Sequence, residues 1–186
     1  MTQYSYRETV YTSQQDGPAL TAAAAASMLP TTTPKFTFQP GFFRYIGQSL
    51  RIVASGRISS VITTPGTARY DFRLGGTVFF DSQAILLDTV AAHTNVGWYL
   101  EADLTVRTVG QAGNFIGVAK WTCEDILGVP AGAPKGCLSA LLPWNAAPAV
   151  GGNINFDNSL AIDSFFTQTA ATGSMTCHQF KVIAEN

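Results

Sequence analysis

Apolar and polar side chains alternate from Trp98 to Val109, and this run constrains the fold more than any other feature of the chain. Successive side chains of a β-strand point to opposite faces of a sheet, so a period of two predicts a strand with one buried face. Residues 110–114 then predict a hairpin loop, after which Phe115 to Cys123 returns as the partner strand. The side chains predicted to face the core are Trp98, Leu100, Ala102, Leu104 and Val106.

The same alternation recurs after residue 48, and further short strands are predicted at 155–157, 162–167 and 175–183. About eight strands, with no amphipathic helix after residue 47, predict an all-β fold: an antiparallel, jelly-roll-like β-sandwich. Residues 124–153 are rich in Gly, Pro and Ala and predict one long loop. Two more apolar faces are predicted to be buried: Leu50, Ile52, Ala54 and Ile58 in one strand, and Tyr70, Phe72 and Leu74 in the next.

The first 47 residues differ in character, and we predict an extended N-terminal arm (1–47) followed by a sandwich domain (48–186). The alanine-rich window Leu20–Leu29 predicts one or two helical turns within the arm. Aromatic side chains are dense here and are predicted to anchor an interface with another subunit. The alternatives are that they cap the open end of the chain's own sandwich, or that the segment is a partly disordered tail. The predicted interface residues are Tyr4, Tyr6, Tyr11, Phe36, Phe38, Phe42, Phe43 and Tyr45.

Charge is scarce in this chain, since Asp, Glu, Lys and Arg make up 12% of its residues and the net charge is -1. Without a basic excess to neutralise phosphates, we expect no nucleic-acid partner. The 46% of hydrophobic residues argues against disorder, and an uncharged surface is expected where neighbouring subunits cover it. Residues 1–7 lack the pattern of a signal peptide, and the window at 20–29 is too short to span a bilayer, so no membrane partner is expected.

Motifs that carry chemistry are missing from the sequence. It contains no nucleophile elbow, phosphate-binding loop or dinucleotide fingerprint, and its only histidines are His93 and His178. Cys177 and His178 are adjacent, so on a strand they point to opposite faces and cannot bind one metal ion together. The sequence therefore predicts no enzyme, no metal site and no cofactor.

Two sets of carboxylates are candidates for an acid–base site or a calcium site. Glu101 and Asp103 share one strand face, which suits acid–base work, but Arg107 and Lys120 predict a cross-strand charge set instead. A calcium site would need the loop carboxylates to converge, which the sequence does not show. These loop carboxylates are Glu124 and Asp125 with Asp157 or Asp163.

Tryptophan and cysteine leave two further questions. Trp121 and Trp144 are candidate stacking platforms for a carbohydrate, because Trp98 is predicted to lie in the core. Three cysteines, an odd number at irregular spacing, predict reduced thiols. A disulfide between Cys123 and Cys137 remains an alternative.

The segments 50–59, 63–67 and 70–75 resemble a stretch that recurs in virion proteins of tailed bacteriophages, and residues 155–180 resemble the C-terminal pattern of those proteins. The resemblance implies a jelly-roll subunit of a phage particle: a head decoration (cement) protein, a head fibre base or a minor tail component. It implies the major capsid protein or other virion proteins as partners, and a place on the capsid surface after synthesis in the host cytoplasm. Such sandwiches often close into symmetric homotrimers. A carbohydrate-binding jelly-roll module, or a tail or fibre component used in host attachment, is the alternative.

Overall fold

The computed structural model of the protein describes residues 6–125 and 139–185. Regular structure within these ranges is β-strand, apart from one 3₁₀ turn at Gly110–Ala112. No helix in this part of the chain is long and apolar enough to cross a membrane. In chain order the strands are β1 (Arg7–Thr12), β2 (Ala26–Ser27), β3 (Thr37–Phe38), β4 (Ser49–Ser60), β5 (Thr67–Leu74), β6 (Thr77–Asp81), β7 (Ile85–Leu86), β8 (His93–Thr108), β9 (Gly113–Cys123), β10 (Ser139–Leu142), β11 (Val150–Ile154), β12 (Leu160–Gln168) and β13 (Ser174–Glu185).

The strands pair antiparallel in two sheets that pack against each other. Sheet one has the order β1-β13-β4-β8-β9-β10, with β11 also paired to β9. Sheet two has the order β2-β12-β5-β6, with β3 on β12 and β7 on β5. The pair β4–β13 in sheet one and the pair β5–β12 in sheet two enclose the β8–β9 hairpin in sequence, which is the nesting of a jelly roll. The predicted antiparallel, jelly-roll-like β-sandwich is confirmed.

The core lies between the sheets, and the predicted inward faces of β4, β5 and β8 are all buried. Tyr70 of sheet two bridges the core, since its ring centroid lies 5.6 Å from that of Trp98 and 5.5 Å from that of Trp121. Each large apolar side chain buried in this way stabilises the fold by about 1.5–3 kcal/mol. The period of two therefore located one part of the buried core, namely the inward faces of β4, β5 and β8.

The predicted helical turns at residues 20–29 are wrong. Leu20 instead pairs with Met175 of β13 through two backbone hydrogen bonds of 2.8 and 3.0 Å, and β2 forms within the same stretch. Met28 and Leu29 are buried in the core. Alanine favours a helix over most other residues by only about 0.7 kcal/mol or less per residue, so strand pairing and the burial of these side chains outweigh it.

The predicted loop at 124–153 is wrong in its second half, where β10 and β11 pair with opposite ends of β9. Residues 126–138 lie outside the described residues. Glycine serves a packing purpose in β11, because a Cβ on Gly151 would lie 2.6 Å from the carbonyl oxygen of Phe79 in β6. The composition that suggested a loop thus permits β11 to approach the other sheet closely.

The N-terminal segment, residues 7–38, runs along the free edges of two strands, one in each sheet. β1 pairs with β13, and the backbone N–H groups of Ser13 and Gly17 donate to carbonyls of β13 at 2.8 Å. The chain then crosses to sheet two, where β2 and β3 both pair with β12. Unpaired strand edges are prone to aggregation, so this path protects both of them.

Asp163 of β12 anchors the N-terminal segment to sheet two. Its Oδ1 accepts hydrogen bonds from the Ser27 hydroxyl at 2.6 Å and from the backbone N–H of Ser164 at 2.8 Å. Its Oδ2 forms an ion pair with Lys35, and most of the carboxylate is shielded from solvent. The segment thus contacts both sheets of its own chain, and the predicted division of the chain at residue 47 stays a prediction.

Two glycines in neighbouring strands predict opposite outcomes for the same substitution. A Cβ on Gly56 of β4 would lie 1.9 Å from the carbonyl oxygen of Thr176, beside the bulge that interrupts β13 after Cys177. We expect Gly56→Ala to lower the free energy of unfolding by about 1–3 kcal/mol or more, because the β4–β13 pair must separate to admit the methyl group. Urea unfolding followed by tryptophan fluorescence measures the change.

Gly97→Ala is the matched control. Gly97 lies on the adjacent strand β8, and a Cβ there would meet no atom within 4 Å. Alanine at this position is expected to leave stability unchanged or to raise it by up to about 1 kcal/mol, because it restricts the unfolded chain. Equal effects of the two substitutions would contradict the described packing of β4 against β13.

Candidate assembly surface

The structure places most of the predicted interface aromatics inside the chain's own sandwich. Phe38 and Phe43 are fully buried in the core. Tyr11, Phe36 and Phe42 are partly buried and pack against it. Exposed rings of the set are those of Tyr6 and Tyr45. Tyr4 lies outside the described residues.

These rings form a continuous aromatic cluster at one end of the sandwich, with edge-to-face and tilted contacts. Ring centroids are separated by 5.0 Å between Phe36 and Phe38, and by 5.0 Å between Phe38 and Phe43. Phe43 extends the aromatic cluster into the core, with centroid distances of 5.2 Å to Phe115 and 4.9 Å to Phe156. This arrangement corresponds to the alternative in which the aromatics cap their own sandwich. An interface role for Tyr6 and Tyr45, whose rings are exposed, remains a prediction.

Exposed aliphatic side chains collect instead at the opposite edge of sheet one, where β9 meets β10 and β11. Val150 lies directly across from Ile116, and Leu141 lies directly across from Lys120. Val118 stands between these pairs on the same outward face of β9. Leu141 is 69% exposed, Val150 53% and Val118 38%. We call Ile116, Val118, Leu141 and Val150 the aliphatic patch.

A groove adjoins the aliphatic patch, because Val150 lines both of them. β6 of sheet two forms one wall, and the connection from Pro143 to Ala149 forms the other. The groove encloses about 150 Å³, below the roughly 300–1,000 Å³ of small-molecule sites but comparable to a cavity that takes one benzene-sized group.

The aliphatic patch was missed in the sequence because three of its four residues carry little pattern. Leu141 and Val150 fall within residues 124–153, whose composition predicts a loop. Val118 lies on β9, where both faces carry apolar residues and the alternation is weak. The one available signal was the short apolar run from Ala140 to Leu142, which is long enough for an edge strand.

The predicted cross-strand charge set on β8 is present, with one change of partner. Glu101 forms an ion pair with Arg51 of β4 and accepts a hydrogen bond from the Tyr99 hydroxyl at 3.0 Å. Asp103 is exposed and lies across from Arg51 in the strand register. A carboxylate held in this way by a neighbouring guanidinium is a surface charge pair, as expected for a solvated sheet face.

The carboxylates weighed for a calcium site do not converge. Glu124 and Asp157 are exposed, Asp125 is buried, and Asp163 is engaged by the N-terminal segment. Across residues 6–125 and 139–185, no three His, Cys, Asp or Glu side chains are grouped so that they could hold a metal ion. His178 lies on β13 with its Nδ1 3.0 Å from a carboxylate oxygen of Asp16.

Trp121 is not a stacking platform, and that prediction is wrong. It lies on the inward face of β9 together with Phe115 and Cys123 and is fully buried. Trp144 is partly buried, because it packs against the core. The side chain on which the carbohydrate alternative most depended is therefore inaccessible to a sugar.

Cys123 and Cys177 are buried thiols, and burial raises the pKa of each to about 12. At pH 8 about one such thiol in ten thousand is ionised, so we expect neither to react with iodoacetamide in the native protein. Mass spectrometry of peptides after alkylation, with and without urea, measures this. Modification that is as fast without urea as with it would contradict the described burial. Cys137, the other half of the proposed disulfide, lies outside the described residues.

Comparison with known proteins adds little to this geometry. No protein family matches the sequence, and no curated protein matches it. The chain is similar to a solved structure, that of the CBM2 module of the evolved Dit of Lactobacillus casei BL23 phage J-1. The alignment covers 99% of this chain and 98% of that chain, with 7% identity and a TM-score of 0.38. A similarity of this size carries no argument, so the fold assignment rests on the strands and their pairing.

Proposed function

We propose that the protein is a structural component of a tailed-bacteriophage particle and binds the capsid surface as a head decoration (cement) protein. Its partner is the major capsid protein or another virion protein, and it acts through subunit contacts without a catalytic step, a metal or a cofactor. Copies of the chain associate as a homotrimer. The aliphatic patch and the adjoining groove form part of the contact surface.

The aliphatic patch is the observation that carries this proposal. Clusters of exposed apolar side chains are rare on monomeric proteins and mark sites where another protein binds. Two charged side chains adjoin the patch, since Lys120 lies directly across from Leu141 and Asp103 directly across from Val118, so a partner would have to meet aliphatic and charged groups together. The groove beside Val150 offers a recess for an anchoring side chain, which is how interfaces concentrate their binding energy.

Composition and the sequence resemblance support the same proposal. A chain with 12% charged residues presents little charge to water, as suits a subunit that is largely covered by neighbours. The segments at 50–59, 63–67, 70–75 and 155–180 resemble virion proteins of tailed phages. The first three contribute β4 and β5, and the last contributes β12 and β13, so the resemblance covers the nested pairs that define the sandwich.

Charge placed in the aliphatic patch tests the proposal. Leu141→Glu and Val150→Glu are each expected to weaken binding to capsids about tenfold or more, because burying an unpaired carboxylate or losing an apolar anchor costs at least about 1.4 kcal/mol. Binding is measured by co-sedimentation with heads and, separately, with tails. Both are purified from a phage in which the gene for this chain carries a stop codon.

Ile62→Glu is the matched control, because Ile62 is an exposed aliphatic residue, 48% exposed, in the turn between β4 and β5. It should bind capsids as the wild-type chain does. Binding to tails alone would reject the head location and favour a tail or host-attachment component. Binding to neither particle part would reject the proposed function, and equal binding by all three variants would reject the aliphatic patch as the contact surface.

A further inference from the structure

A buried carboxyl group joins three chain segments at the end of the sandwich formed by the end of β4 and the start of β8. Asp125 follows β9 and is 0% exposed. Its Oδ1 accepts hydrogen bonds from the Ser60 hydroxyl at 2.8 Å and from the backbone N–H of Asp88 at 3.3 Å. Its Oδ2 is equally buried and has no hydrogen-bond partner in the described part of the chain. Ionising a carboxyl group is energetically unfavourable when one of its buried oxygens has no hydrogen-bond partner. Protonation of the carboxyl group removes this cost.

A second ionisable pair lies directly beside it. The Oδ2 of Asp88 is 3.0 Å from the Nε2 of His93, and both side chains are largely buried. With both carboxylates ionised and the imidazole neutral, this end of the sandwich carries two negative charges that repel each other at low dielectric. A proton on Asp125 relieves the repulsion. His93 also pairs with Ser60 in the β4–β8 register, so the groups form one connected cluster.

We propose that Asp125, Asp88 and His93 form a proton-binding site that stabilises this end of the sandwich in mild acid relative to neutral pH. The ligand is the proton itself, and Asp125 holds it within a cluster that ties β4, β8 and β9 together. This role is separate from the proposed function, because neither the aliphatic patch nor the groove contributes to the cluster.

The other ionisable groups facing Asp125 leave this assignment intact. Among the described residues they are Cys123 on its own strand and Tyr70 on β5, across the core. Burial raises the pKa of Cys123 to about 12 and that of Tyr70 well above its ordinary value, so both remain neutral in acid and at neutral pH. Glu124, the next residue toward β9, is exposed.

The direction of the pH effect follows from the two carboxylates. Burial raises the pKa of Asp125, and its hydrogen bonds from Ser60 and Asp88 offset only part of that rise. Its contribution to stability is therefore present below the pKa of an unfolded aspartate and is lost as the pH rises through the higher folded value. Burial also acts to raise the pKa of Asp88, but hydrogen bonds from His93 and two backbone N–H groups outweigh it and leave that pKa lowered. Asp88 is thus held in its ionised form and adds no opposing pH dependence between mild acid and neutral pH.

Hydrogen exchange of the full chain between pH 4.5 and 8, corrected for intrinsic rates, tests the site. In the wild-type protein the opening equilibrium of residues 87–93 should rise with pH, about tenfold for each unit by which the pKa of Asp125 is raised. Asp125→Asn should remove most of this rise, since its side chain does not ionise. Glu124→Gln, the neighbouring exposed acid, should retain it in full. An unchanged pH dependence in Asp125→Asn would overturn the proposal.

A second measurement keeps the test decisive if Asp125→Asn fails to fold. The ¹³C carboxyl resonance of Asp125 in the wild-type protein should titrate with a midpoint above that of an aspartate in an unfolded peptide. A midpoint at or below the peptide value would overturn the proposal.

Discussion

The rest of the structure depends on how the outer edges of β12 and β13 are covered. These two strands follow each other in sequence but lie in different sheets, and each pairs on one side with the partner that defines the jelly-roll nesting. The N-terminal segment covers the other side of both, with β1 on β13 and with β2 and β3 on β12. A single segment thereby covers one edge of both sheets, and the aromatic cluster around Phe38 and Phe43 fills the end beside it.

Closing one side in this way leaves the proposed contact surface on the other. β1 and β2 lie at one edge of their sheets, whereas β9 to β11 and β6 lie at the opposite edge. Only short strands cover β9 there, and they leave Leu141 and Val150 exposed beside the groove. The described part of the chain thus has one edge sealed by its own backbone and one edge at which aliphatic side chains are exposed. Under the proposed function, the second edge is the one that contacts a neighbouring subunit.

Sequence reasoning succeeded where one strand face is apolar and the other polar, as in β8, because burial then dictates which side chains point inward. It failed at Trp121, since β9 carries apolar residues on both faces and its alternation did not reveal which face is the core. It failed at Leu20–Leu29, where tertiary pairing outweighs the helix preference of alanine. The carboxyl cluster of Asp125 was also beyond reach, because its members are far apart in sequence and meet only through the β4–β8–β9 register.

The claim that the N-terminal segment, residues 7–38, is an integral part of the sandwich is tested most directly by removing it. We would compare urea unfolding of the full chain with that of a chain lacking residues 1–40, by tryptophan fluorescence and far-UV circular dichroism. The account predicts that the shortened chain loses cooperative unfolding, because the edges of β12 and β13 and the rings of Phe42 and Phe43 that pack against Phe38 become exposed. A shortened chain that unfolds cooperatively with unchanged stability would contradict it and would make the segment a separable arm.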